Sequence, residues 1–217
     1  MRRSSLFISL FMFVISAFAQ DALQDLLLAA KAGELPKVQA GLRAGMDPDT
    51  SDPQGNTLLI IAAREGHLDL AKLLLDQRAK VRERNAFGDS ALMLAALHGH
   101  LELVRLLAAY GGEVNGPGWT PLHYCAWGGY TEVCSLLVGL GANVNARAPN
   151  LTTPLMMASR EGRIDTARWL LQHGADPQLK NDADATALDW ALKYKQTEVA
   201  QLLKSGTSQG CGAGAVC

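Results

Sequence analysis

Within residues 118–146 the apolar positions fall into two short blocks of helical period, divided at Gly129 and stopped at Gly141. The first block opens on Thr120-Pro121, a capping side chain followed by a residue whose missing N–H is not needed in a first helical turn. Gly129 interrupts the period, and Gly141 suits the left-handed stop of the second block. The pattern predicts a helical hairpin with one wide apolar face. Such a hairpin cannot bury that face alone, so neighbours of the same kind are required.

The same pattern recurs along the chain. Positions equivalent to Thr120 fall at Gln24, Thr57, Ser90, Thr153 and Thr186, in steps of 33 residues except for one of 30 between Ser90 and Thr120. Gly33, Gly66, Gly99, Gly129 and Gly162 follow their anchors at a constant distance, and the sixth unit departs with Lys195. An apolar pair recurs in the second block as Leu73-Leu74, Leu106-Leu107, Leu136-Leu137, Trp169-Leu170 and Leu202-Leu203. With Thr120-Pro121-Leu122-His123 and Gly141-Ala142-Asn143-Val144-Asn145, the chain resembles the ankyrin-repeat family, whose unit of ~33 residues is a β-turn plus two helices. The resemblance covers about residues 21 to 206. It implies an all-α ankyrin-repeat solenoid of about six helix-turn-helix repeats with short β-turn fingers. Asp21 to Gly55 reads as the N-terminal cap and roughly Asn181 to Gly206 as the C-terminal cap.

The flanks read differently. Met1 to Ala19 has Arg2 and Arg3, an apolar run from Leu6 to Ile15 broken only by Ser9, and Ala17-Phe18-Ala19 before Gln20. That is the three-part pattern of a cleavable signal, too short for a membrane span. The expected organisation is therefore a signal peptide over 1–19, the repeat domain over 20–206 and a flexible Gly/Cys tail over 207–217. Ser205 to Cys217 shows no helical periodicity. Export places the mature chain in a bacterial periplasm, with secretion as the alternative, and no membrane insertion is expected after cleavage.

Composition narrows the partners. The formal charge is −1, and without the leader's Arg2 and Arg3 it falls to −3, so neither nucleic acid nor an anionic membrane is indicated. Of 217 residues 48% are hydrophobic, enough for a sizeable core. No nucleophile elbow, H-E-x-x-H or phosphate-binding glycine loop is present, so no enzyme, cofactor or metal is expected. His98-Gly99-His100 lacks a third ligand at a suitable spacing. His67, His100 and His123 are expected to bond loop backbone instead. Cys125 and Cys134 fall at small or apolar core positions and are expected as buried thiols, with a bridge as the alternative that export allows. Cys211 and Cys217 could close a small loop by a disulfide.

The resemblance also says where partners bind: on the fingers and the exposed side of the first helices. The candidate protein-binding residues are Arg64, Glu65, Phe87, Asp89, Leu97, His98, Trp119, Trp127, Arg160, Glu161 and Tyr194. Phe87, Leu97, Trp119 and Trp127 are expected on one concave face, and Trp169 and Trp190 in the core. The 30-residue step removes three finger residues near Gly116-Pro117-Gly118, which predicts a notch beside Phe87 and Trp119. The function expected is non-enzymatic binding of another protein, by a monomer. Exported relatives imply two kinds of partner, a secreted toxin such as a cell-wall hydrolase met by an immunity protein, or a periplasmic enzyme in support of catalase and peroxide protection. A secreted effector is the third reading.

Overall fold

The computed structural model describes residues 21–209. The expected signal at 1–19 and the expected Cys211–Cys217 bridge lie outside the described residues. Residues 21–31 form α1. Eleven further helices follow: α2 Leu35–Arg43, α3 Leu58–Glu65, α4 Leu68–Asp76, α5 Ala91–Leu97, α6 Leu101–Ala109, α7 Pro121–Gly128, α8 Thr131–Gly139, α9 Pro154–Arg160, α10 Ile164–Gln172, α11 Ala187–Lys193 and α12 Thr197–Gln209. They are the six expected hairpins. α12 continues to Gln209, so the chain from Ser205 to Gln209 is helical and not part of a loose tail.

From the second repeat onward each first helix starts immediately after its anchor residue, whereas Gln24 lies within α1. Thr57, Ser90, Thr153 and Thr186 accept the backbone N–H three residues on, at 3.2–3.3 Å. At Thr120 the hydroxyl meets His123 Nδ1 instead, at 2.9 Å. The first helices α3, α5, α7, α9 and α11 pack side by side, and α2, α4, α6, α8, α10 and α12 form a second layer. Of each apolar pair it is the second member that is fully enclosed, as Leu74, Leu107, Leu137, Leu170 and Leu203.

The interhelix glycine has two causes. Its φ is positive in each of the five repeats, from +69° at Gly162 to +85° at Gly66 and Gly129. In addition, a side chain of the next repeat lies over it: His67 over Gly33, His100 over Gly66, Tyr130 over Gly99, Arg163 over Gly129 and Gln196 over Gly162. Four of these side chains also donate to a carbonyl of the preceding repeat. His67 reaches Lys31 at 2.9 Å, His100 reaches Arg64 at 3.2 Å, and Arg163 and Gln196 reach Trp127 and Arg160 at 3.1 Å each. Lys195 keeps the left-handed backbone, with φ 60°, but no described repeat stacks beyond it. The glycine's absence from the sixth repeat follows.

The fingers are held by Asx side chains. Asn85 Oδ1 accepts the N–H groups of Phe87 and Asp89 at 3.0 and 2.9 Å, and Asp52 and Asn181 do the same in their repeats. Neighbouring tips are joined by Ala86 N–H to Gln54 O at 2.9 Å and by Asp182 N–H to Asn150 O at 3.1 Å. Among the described residues no such bond joins the shortened fourth finger to either neighbour. Its base is still tied, because Asn115 donates to Gly141 O at 2.7 Å and accepts from Asn143 N–H at 2.9 Å. The line of fingers is interrupted at the tips alone.

Candidate functional site

The interruption opens a concave cleft of about 430 Å³ lined by Phe87, Asp89, Trp119, His123, Tyr124, Trp127, Met157 and Arg160. Phe87 enters from the third finger and is 76% exposed, while Trp127 at the end of α7 is 39% exposed. Trp119 is half-buried and sets its ring edge-on to His123, with centroids 5.3 Å apart. An exposed aromatic cluster in a concavity is a form that protein partners use for anchoring.

Beneath it lies a rigid polar floor. His123 is fully buried; its Nδ1 accepts the Thr120 N–H at 3.1 Å, and its Nε2–H donates to Thr152 O at 3.0 Å. Both ring nitrogens are therefore satisfied by a neutral imidazole, and burial pushes the pKa down to about 4 against the pull of the backbone carbonyls. The Tyr124 hydroxyl donates to Asp89 Oδ1, which fixes the finger base of the third repeat against α7. Burial first, and then this carboxylate, push the phenol well above its ordinary range.

Five of the residues expected from the sequence meet in this cleft: Phe87, Asp89, Trp119, Trp127 and Arg160. The others are distributed along the stack. Arg64 pairs with Glu65 at 3.0 Å, and Arg160 lies 3.3 Å from Glu161, near enough to pair charges but not aligned as a hydrogen bond. Leu97 is half-buried against the core, and so does not share the exposed aromatic surface. His98 is exposed and faces His100 at 6.0 Å between ring centroids. Tyr194 carries Arg160 over its ring at 5.0 Å.

Trp190, expected in the core, is half-buried and also meets Arg160, at 6.0 Å. It shares its repeat position with Tyr124 and Met157, cleft residues the sequence reading missed. That shared position was the available signal. Trp169 is likewise only half-buried, stacked on His173 at 3.7 Å, and it lines a shallower cleft between the second helices with Leu101, Thr131 and Leu136.

The cysteines correct another expectation. Cys125 and Cys134 form a disulfide linking α7 to α8, with Cα atoms 5.6 Å apart and both residues fully buried. The equivalent pairs in other repeats are Ala62 and Ala71, Ala158 and Ala167, and Ala191 and Ala200, with Ala29 and Val38 in the first repeat and Ala95 and Val104 in the third. Small residues stand there because the two helices approach most closely, which is the spacing a bridge needs. Among the described residues no group of three His, Cys, Asp or Glu side chains could hold a metal ion, and no helix is long and apolar enough to cross a membrane.

Comparison with known proteins agrees with this architecture. The family model for ankyrin repeats (three copies) matches residues 26–116, 77–148 and 147–211. A putative ankyrin repeat protein of Escherichia coli K12, YahD, is 30% identical over 190 residues, covering 82% of this chain and 94% of that protein. The human transient receptor potential cation channel subfamily A member 1 is 30% identical over 174 residues, covering 75% of this chain but 16% of its own length. A probable E3 ubiquitin-protein ligase of rice, XBOS34, is 39% identical over 83 residues, 37% of this chain and 16% of that protein.

Proposed function

Because this chain belongs to the ankyrin-repeat family, whose repeats bind other proteins, we propose that it is an exported binding module that grips one partner through the cleft at the fourth repeat. The observation that carries the reading is the cluster of Phe87, Trp119 and Trp127 at a gap in the finger line. There a partner reaches the first helices without being held off by a finger. Three titratable groups of the cleft, His123, Tyr124 and Asp89, are engaged in bonds to backbone or to one another.

Two features support a compartment outside the cytoplasm. The leader pattern is one. The Cys125–Cys134 bridge is the other, since structural disulfides persist where thiols are not kept reduced. The partner class that suits an exported inhibitor of this form is a secreted enzyme, and we propose an immunity role in which the concave face covers the active site of an antibacterial cell-wall hydrolase. A tight complex of that kind buries about 1,600 Å².

The test is to recover the tagged chain from fractionated cells with thiols alkylated on lysis. The proposal expects an oxidised Cys125–Cys134 pair in the periplasmic pool and a co-purified hydrolase whose wall-degrading activity the added chain suppresses. A reduced, cytoplasmic pool would contradict the compartment, and a partner whose activity is unaffected would contradict the immunity role.

A further inference from the structure

The cations around the cleft are engaged. Arg84 pairs with Glu113 at 2.9 Å and donates to Gly88 O at 2.8 Å, and Arg64 pairs with Glu65 at 3.0 Å. Arg160 sits beside Glu161 at 3.3 Å and over the Tyr194 ring at 5.0 Å. Asp89 is different. Among the described residues no cationic side chain lies within ion-pair distance of it, and its one side-chain bond is the neutral Tyr124 hydroxyl on Oδ1. Oδ2 has no donor. The carboxylate is half-buried, and Phe87, Trp119 and Trp127 line the same cleft.

We propose that this corner receives a cationic side chain, an ammonium or a guanidinium, projected by the bound protein. Aromatic faces attract a cation electrostatically, and a carboxylate adds a charge-assisted hydrogen bond. A neutral apolar anchor would fill the same space but bury the Asp89 charge without a counter-ion, a cost that falls on the wrong partner. An anionic anchor would meet Asp89 directly, while Arg84 and Arg160 already face Glu113 and Glu161. The charge pattern therefore selects the sign of the anchor as well as its shape.

This inference rests on the concave-face reading, and its test separates the two. The probes are the N-acetyl amides of arginine, lysine, citrulline and glutamate, titrated into the whole mature chain and followed by the indole N–H signals of Trp119 and Trp127. The arginine or lysine probe, whichever matches the anchor, is expected to saturate, and the citrulline and glutamate probes are not. Asp89→Asn, which keeps an acceptor for Tyr124, is expected to weaken cation binding by about tenfold; Asp69→Asn, on the exposed side of α4, is expected to leave it unchanged. Citrulline binding as well as arginine, indifference to Asp89→Asn, or no cation binding at all would overturn the inference. With the natural partner, a loss of binding in Phe87→Ala/Trp127→Ala but not in Asp89→Asn would overturn this inference alone. No loss in either would overturn the concave-face reading itself.

Discussion

Arg163 Nε–H donates to the carbonyl of Trp127 at 3.1 Å, and the same side chain occupies the space where a Cβ on Gly129 would stand, 2.7 Å from Arg163 Cδ. The glycine of one repeat and the polar residue of the next are therefore one feature of the stack. Gly129→Ala meets both a positive φ and this side chain, and is expected to cost about 1–3 kcal/mol. Lys195 has the same backbone with nothing stacked on it, so Lys195→Gly is expected to gain up to about 1 kcal/mol. Urea unfolding of the two variants checks both signs.

The Cys125–Cys134 bridge closes a short loop inside the repeat that carries Trp127. Its reduction is expected to lower stability by about 2–3 kcal/mol, mainly by freeing the unfolded chain. Cys125→Ala/Cys134→Ala places the residues of the following repeat, Ala158 and Ala167, at both positions, so the variant is expected to fold and to unfold like the reduced protein. Thermal melts with and without reductant, with thiol counting, measure the difference.

Acid should weaken the fold in a defined window. His123 is held neutral, with its pKa depressed to about 4, whereas an unfolded histidine titrates near 6.5. Between those values the unfolded chain binds the extra proton, so stability is fully present above about pH 6.5 and falls with pH until it levels below about 4. The loss attributable to His123 is up to about 3 kcal/mol. Asp189, depressed by its hydrogen bonds to Thr186, acts in the same direction but below the ordinary carboxylate range. Unfolding free energies from pH 7.5 to 4, with the His123 ring signal followed by NMR, check the window.

Repetition made the fold legible. A pattern seen once in residues 118–146 is ambiguous, but its phased copies located the six hairpins and the gap in the finger line. What the pattern could not resolve was distance within a repeat. Cys125 and Cys134 read as core residues because alanine or valine stands at the equivalent positions, yet the Cα atoms of the pair lie 5.6 Å apart, close enough to bond. Trp190 shares a position with Ile61 and Leu94 and so reads as core. Tyr124, at the same position, lines the cleft, and Trp190 is half-buried with Arg160 over its ring. α12 outran its expected end because Ser205, Gly206 and Thr207 carry no helical period, while the helix they extend is already anchored by Val199 and Leu203.

The most direct measurement is the affinity of the captured partner for the wild-type chain and for Phe87→Ala/Trp127→Ala, by calorimetry on purified proteins. Both side chains are exposed in the free chain, at 76% and 39%, so the double variant should retain its melting temperature. The double variant is expected to lose about 2 kcal/mol or more, at least ~30-fold in affinity. Equal affinity for the two chains, at equal stability, would show that the partner binds elsewhere and would contradict the assignment of the cleft.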